Sequence, residues 1–186
     1  GIHKSYKIEP DIAMFGKSLG NGYAITACIG KKEIMKYAND SFISSTFWTE
    51  RIGYVAALKT LEVMQKKKSW KLIRQKGKKI IEGWKMISRK NNIDLEITGI
   101  PALCSFKFKN KNNIICKTII TQEMLKKGIL ATNTVYVCIE HTDKIIKNYL
   151  KNLEKILIKI NKCKTEKELK KLLDGKVCNS DFQRVN

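Results

Sequence analysis

One segment decides the fold: Pro10-Asp11-Ile12-Ala13-Met14-Phe15-Gly16-Lys17-Ser18-Leu19-Gly20-Asn21-Gly22-Tyr23. Its apolar run Ile12 to Phe15 has the length of a short strand, and Lys17 follows before a glycine-rich loop. Burial beside an apolar strand favours the neutral amine of a lysine, which can form a Schiff base with a carbonyl compound. Glycines let a flat ligand approach the backbone. On composition alone, Lys17 could equally be an ordinary lysine of a surface loop.

The wider pattern resembles the Schiff-base lysine motif of the class III (subgroup II) pyridoxal-phosphate aminotransferases, a group that includes the glutamate-1-semialdehyde aminomutases. Phe42-Ile43-Ser44-Ser45-Thr46-Phe47 resembles the segment in which the family's threonine contacts the cofactor phosphate of the neighbouring subunit. The small-residue-rich stretch Ile52 to Met64 and the late segment Tyr136 to Thr142 are also similar to the family. The resemblance therefore covers essentially the whole chain.

This resemblance implies pyridoxal 5'-phosphate as the cofactor, held by Lys17 as an internal aldimine. The freed Lys17 amine would then move a proton, first as a base and then as an acid. Thr46, with Ser45 beside it, would bind the cofactor phosphate, although Thr46 could instead be a β-propensity residue in a strand. Trp48 could wall the substrate pocket or simply pack at the start of the following helix.

The order of patterns predicts an α/β chain, and the resemblance implies the C-terminal part of a fold-type I PLP enzyme. We expect residues 1–68 to be the C-terminal portion of the large PLP-binding domain. Residues 69–186 would be a small C-terminal α+β domain. The predicted elements are strands at 12–15, 24–30, 104–109 and 135–139, and helices from Thr49, over 69–90, over 118–127 and from Thr142.

Three groups that the family carries upstream of its lysine cannot be located in this sequence. These are the phosphate loop, the aromatic that stacks on the cofactor ring and the aspartate that pairs with the pyridine nitrogen. Asp11 lies too close to Lys17 to replace that aspartate. We therefore expect the chain to be a fragment with little or no activity on its own.

Charge is the feature that points to another class of function. The chain has 186 residues, 37 of them Lys or Arg and 17 Asp or Glu, so its formal net charge is +20. Only four of the basic residues are arginine, whereas specific nucleic-acid readers favour arginine for its bidentate geometry. Lysines spread in this way usually form solvated faces, so we expect no nucleic-acid partner, although a basic polyanion-binding module stays the alternative.

The remaining composition indicates whether a membrane, a metal ion or disulfide bonds are expected. No apolar run approaches the ~20 residues that span a bilayer, so no membrane association is expected. The six cysteines form no C-x-x-C pair and only two histidines are present, which disfavours a metal site. Reduced thiols in the cytoplasm are the simpler interpretation.

Within the family, transamination from an amino donor to an aldehyde or keto acceptor is the first hypothesis. Intramolecular amino transfer of the glutamate-1-semialdehyde 2,1-aminomutase type is the alternative. The resemblance also implies a homodimer with shared active sites. The sequence does not identify the donor or the acceptor.

Overall fold

The computed structural model describes residues 2–179, and the chain divides into two compact units, Gly1–Ser69 and Trp70–Asn186. The strands are β1 Ile12–Phe15, β2 Ala27–Gly30, β3 Leu95–Ile100, β4 Leu103–Phe108 and β5 Thr134–Tyr136. The α-helices are α1 Lys32–Met35, α2 Arg51–Lys67, α3 Ser69–Lys90, α4 Asn113–Leu125, α5 Asp143–Lys162 and α6 Glu166–Lys170. None of the helices in this part of the chain has the length and apolarity needed to cross a membrane.

The first unit is built on a two-stranded antiparallel ladder. Strand β1 pairs with β2, so that Ile12 lies opposite Gly30 and Phe15 opposite Ala27. The prediction of strand β1 is confirmed, whereas the prediction of a buried strand over residues 24–30 is wrong. The ladder begins only at Ala27 and most of β2 is exposed, because within residues 2–179 no further strand pairs with either β1 or β2.

Helix α2 of the first unit exposes large apolar side chains on more than one of its sides. It begins at Arg51 rather than at Thr49, because the Glu50 carboxylate accepts the Ile52 N–H at 3.0 Å and caps the helix. The unit exposes many large apolar side chains, among them Phe42, Trp48, Ile52, Val55, Leu58 and Leu61. Apart from glycines, Ala57 is the one apolar residue buried among those of this unit whose burial is described. Hydrophobic burial therefore contributes little to the stability of this unit.

The second unit contains the hydrophobic core. Its three-stranded antiparallel sheet has the order β3-β4-β5, and the alternating residues Cys104, Phe106 and Phe108 of β4 are buried, as predicted. Trp84 of α3 is fully buried and meets Phe106 edge-on at 4.8 Å between ring centroids. Its indole N–H donates to the hydroxyl of Tyr149 at 3.2 Å. This cluster joins α3, the sheet and α5.

Two element boundaries in the second unit differ from the predicted ones. Helix α4 begins five residues before the predicted Thr118, because the Asn112 side chain accepts the N–H groups of both Ile114 and Ile115. Strand β5 ends at Tyr136, short of the predicted residue 139. The cap predicted at Thr142 is confirmed, since its hydroxyl accepts the Ile145 N–H at 3.3 Å and α5 follows.

Glu123 makes the stability of the second unit depend on pH. Its carboxylate accepts hydrogen bonds from Lys126 at 2.9 Å and from Gln122 at 3.0 Å. The Lys126 bond is the main cause that lowers the pKa of Glu123 to about 2 from 4.5. Because the pKa is lower in the folded than in the unfolded chain, the ionised group stabilises the fold fully above about pH 4.5. That contribution is lost as the pH falls toward 2.

We therefore expect Glu123→Gln to lower the free energy of unfolding at pH 7, with an effect that shrinks as the pH falls through this window. Urea unfolding followed by circular dichroism measures it. Glu140→Gln is the control, because Glu140 is exposed and makes no ion pair among the described residues. An equal loss for Glu123→Gln at pH 2 and pH 7 contradicts the prediction.

Candidate active site

Lys17 lies directly after β1, at the start of a short 3-10 turn, Lys17–Leu19. Its backbone has φ +46°, a left-handed conformation that is uncommon for residues other than glycine and that concentrates at functional sites. Its carbonyl accepts the N–H groups of Gly20 and Asn21. Among residues 2–179, no hydrogen bond or ion pair to its side-chain amine is found.

The expected burial of Lys17 is wrong, since the residue is exposed. The reason is the one given for β2: the ladder has no third strand in the described chain, so no apolar layer covers the end of β1. The Lys17 amine is therefore accessible. The glycine-rich loop is closed by hydrogen bonds to the Lys17 carbonyl and not by the Lys17 side chain.

The glycine-rich loop after Lys17 is compact, as predicted. Gly20 is buried, and a Cβ atom there would lie 2.0 Å from the Tyr23 carbonyl oxygen, so no side chain fits. Asn21 and Gly22 both have positive φ, +48° and +110°. These conformations turn the chain sharply and leave its backbone open to a ligand.

Residues 44–49, here called the hydroxyl loop, form an exposed loop that ends in a turn before α2. Thr46 therefore lies in a turn and not in a strand. The Ser45 hydroxyl accepts the Phe47 N–H at 3.4 Å, and the carbonyl of Trp48 accepts the Tyr54 hydroxyl at 3.3 Å. Thr46 and Trp48 have exposed side chains. Thr46 is thus exposed in the turn that precedes the 17-residue helix α2, whose N-terminus is capped by the Glu50 carboxylate.

Helix α2 is the element that relates the two segments. It packs on the Lys17–Leu19 turn, and a Cβ atom at Gly53 would lie 2.5 Å from the Ala24 carbonyl oxygen. No hydrogen bond joins Lys17 to Ser45, Thr46 or Trp48 within the described residues. The structure therefore brings both segments to one helix, with no hydrogen bond between them among the described residues.

Asp11 forms an ion pair with Lys31. Its carboxylate lies 2.6 Å from the amine of Lys31, and its carbonyl accepts the Lys31 N–H. The hydrogen bond to Asp11 raises the pKa of Lys31 above its ordinary value. Within the described residues, no cluster of acidic, histidine or cysteine side chains is suited to a metal ion.

Comparison with known protein families identifies the family of this chain. The family model for class-III aminotransferases matches residues 2–157, which is well over half of the chain. The chain belongs to the class-III aminotransferase family. This confirms the family that the lysine motif indicates, and membership implies pyridoxal phosphate as the cofactor.

Individual relatives within the class-III family include both transaminases and aminomutases. The chain is 28% identical to 3-aminobutyryl-CoA aminotransferase of Cloacimonas acidaminovorans, over 87% of the chain and 41% of that protein. It is 25% identical to glutamate-1-semialdehyde 2,1-aminomutase of Persephonella marina, over 83% of the chain and 40% of that protein. The chain thus spans about two fifths of the length of the curated relatives that it matches.

Solved structures show the class-III fold directly. The PLP-containing structure of the FumI protein from Sphingopyxis sp. MTA144 aligns with a TM-score of 0.78 at 20% identity, covering 89% of this chain and 42% of that chain. An S-selective transaminase from Arthrobacter sp. with alanine bound aligns with a TM-score of 0.75 at 20% identity, covering 87% and 41%. The predicted fold class, an α/β chain forming the C-terminal part of a fold-type I PLP enzyme, is confirmed.

The residues of this class-III chain fit part of the donor set that pyridoxal phosphate needs. An accessible lysine amine suits its aldehyde, and serine and threonine hydroxyls suit its phosphate. The sequence identified Lys17, Ser45 and Thr46 by their motifs. It did not identify Tyr54, whose hydroxyl donates to the Trp48 carbonyl, because Tyr54 belongs to no chemical motif.

Proposed function

We propose that this chain is the C-terminal part of a pyridoxal-phosphate-dependent transaminase, with Lys17 as the catalytic and cofactor-binding lysine. The observation that carries the proposal is the accessible amine of Lys17, on a left-handed residue held by a closed glycine loop, inside a class-III family match. Residues 1–68 are assigned to the large cofactor domain and residues 69–186 to the small C-terminal domain.

Lys17 has two tasks in this proposal. Its amine would hold the cofactor covalently through the cofactor's aldehyde. The same amine, once free, would move the proton between the substrate α-carbon and C4′ of the cofactor. When bound, the cofactor supplies the sink for the electrons that the α-carbon gives up.

Ser45 and Thr46 are proposed to bind the cofactor phosphate through their hydroxyls. Trp48, which is 60% exposed, is proposed to wall the substrate pocket. Since the described structure shows no bond between Lys17 and the hydroxyl loop, we propose that each loop serves the lysine of the neighbouring subunit in a homodimer. The partners are a small-molecule amino donor and a carbonyl acceptor.

Family membership favours an enzyme over a basic polyanion-binding module. Among residues 2–179, ten lysines, including Lys79, Lys90 and Lys126, form ion pairs with acidic side chains of the chain itself. A cytoplasmic location is part of the proposal, because all six cysteines are free thiols, as is usual in reducing compartments.

We expect the isolated 186-residue chain to have little or no transaminase activity. The ring-stacking aromatic and the aspartate that pairs with the pyridine nitrogen cannot be located in the sequence, and Asp11 is paired with Lys31. The uncovered apolar surface of the first unit points to missing polypeptide there. Robust turnover of an amino donor by the isolated chain with pyridoxal phosphate contradicts this expectation.

An aminomutase is the second candidate, favoured by the relatives of that name at 25–30% identity. A transaminase releases a keto product from the donor and leaves pyridoxamine phosphate, so a second carbonyl substrate is required. An aminomutase converts one amino aldehyde into its isomer without a separate acceptor. The two differ in whether the amino group leaves the molecule that donated it.

The test uses the full polypeptide that contains this chain, loaded with pyridoxal phosphate and supplied with a panel of amino donors and no acceptor. A transaminase forms one equivalent each of keto product and pyridoxamine phosphate per site, measured by chromatography. Isomerisation of an amino aldehyde without net keto product supports the aminomutase instead. Formation of neither, together with steeply salt-dependent polyanion binding, favours the basic module.

A further inference from the structure

Among the described residues, few hydrogen bonds hold the hydroxyl loop of residues 44–49 in place. All of its residues are exposed, so packing does not fix its position. The Phe47 carbonyl accepts the Glu50 N–H at 3.2 Å, and the Ser45 hydroxyl accepts the Phe47 N–H. Both bonds are local to the turn and do not tie it to a neighbouring element.

Tyr54 supplies the tie to the helix body. It is the fourth residue of α2, and its hydroxyl donates to the Trp48 carbonyl at 3.3 Å, across six residues of sequence. Tyr54 is 52% exposed, so its ring is not buried in a core. The hydroxyl, rather than the apolar surface of the ring, is what connects α2 to the loop.

The helix that bears Tyr54 is in turn fixed against the lysine loop. Gly53 approaches the Ala24 backbone more closely than a side chain would permit, and α2 packs on the Lys17–Leu19 turn. A loop fastened to the first turn of α2 therefore inherits the position of that helix. Without the Tyr54 bond, the loop would still be attached to the chain at both ends, but the hydrogen bond that fixes its Trp48 carbonyl on α2 would be lost.

We infer that Tyr54 is a positioning residue of the proposed cofactor site, whose hydroxyl holds the hydroxyl loop in the geometry that binds phosphate. This inference rests on the proposed function, because it takes Thr46 and Ser45 as phosphate ligands. Tyr54 does not touch the cofactor itself. It acts through the Trp48 carbonyl and thereby on the loop that carries Thr46.

The test uses Tyr54→Phe in the full polypeptide that contains this chain, since phenylalanine keeps the ring and removes only the hydroxyl. Loss of one such hydrogen bond is expected to raise the Kd for pyridoxal phosphate about fivefold. The Kd for pyridoxal, which lacks the phosphate, should not change. Tyr37→Phe is the matched control, because Tyr37 is an exposed tyrosine of the same unit whose hydroxyl makes no hydrogen bond in the described structure.

A double-mutant cycle with Thr46→Val separates positioning from general stability. If Tyr54 acts through Thr46, Tyr54→Phe adds little further loss in the Thr46→Val background. Equal losses of affinity for pyridoxal phosphate and pyridoxal, a fully additive cycle, or an unchanged Kd each overturn the inference. A lowered melting temperature of the cofactor-free variant that accounts for the whole effect also overturns it.

Reductive labelling of Lys17 in the unsubstituted protein distinguishes the two levels of failure. If pyridoxal phosphate and borohydride label Lys17 but the Tyr54→Phe variant binds the cofactor normally, only the inference about Tyr54 fails. If Lys17 takes no label in the unsubstituted protein, the proposed function fails and the inference fails with it.

Discussion

Replacement of Lys17 by arginine in the full polypeptide is expected to lower kcat/KM for transamination by on the order of 10²- to 10⁴-fold, the range of positioned acid–base catalysis. Arginine keeps the positive charge, but its guanidinium stays protonated and cannot condense with an aldehyde. The loss therefore reports the chemistry of the amine rather than the charge of the loop. Covalent retention of pyridoxal phosphate on dialysis should be lost as well.

Lys32→Ala is the matched control for this experiment. Lys32 is another exposed lysine of the first unit and forms no ion pair among the described residues. We expect it to leave both kcat/KM and cofactor retention unchanged. A Lys17→Arg variant with activity within a few fold of the unsubstituted protein contradicts the role of Lys17.

Trp84→Ala is expected to lower the free energy of unfolding of the second unit by about 3–5 kcal/mol. Trp84 is fully buried, packs edge-on against Phe106 and donates to the Tyr149 hydroxyl. Truncation leaves a cavity and removes the hydrogen-bond partner of the buried Tyr149 hydroxyl. Burial also raises the pKa of Tyr149. Because the total free energy of unfolding of a domain is only about 5–15 kcal/mol, this loss is a large fraction of it.

Urea unfolding followed by far-ultraviolet circular dichroism measures the effect. Trp70→Ala is the control, since Trp70 lies on the same helix, α3, but is 52% exposed. Trp84→Phe should cost less than the alanine variant, because it keeps most of the buried apolar area. Equal effects of Trp84→Ala and Trp70→Ala contradict the view that the core is centred on Trp84.

The second unit could be predicted well from the sequence because it buries its own apolar pattern. The helical spacing of Ile80, Trp84 and Ile87 indicates one face of a helix, and that face is buried in α3. What the sequence does not reveal is close packing between distant residues. A Cβ atom at Gly77 would lie 1.7 Å from the Pro101 carbonyl oxygen, so α3 packs directly on the turn before β4, and no local pattern predicts that contact.

The first unit could be predicted only in part, for a physical reason. The apolar residues of α2 do not share one face, because Ile52 and Leu61 are nine residues apart and therefore lie on opposite sides of an α-helix. Periodicity does not show what covers them, and Ile52, Val55 and Leu61 are all exposed. At the candidate site, Lys17 was found through its motif. The Tyr54 bond arises from the geometry of the turn before α2, and no sequence signal marks it.

The most direct test of the central claim is chemical trapping of the lysine. The full polypeptide that contains this chain is incubated with pyridoxal phosphate, reduced with borohydride, digested and mapped by mass spectrometry. We predict one pyridoxyl group per chain, on the peptide that contains Lys17, and none on that peptide without cofactor. Labelling spread over the many exposed lysines, or stoichiometric label on a lysine other than Lys17, would contradict it.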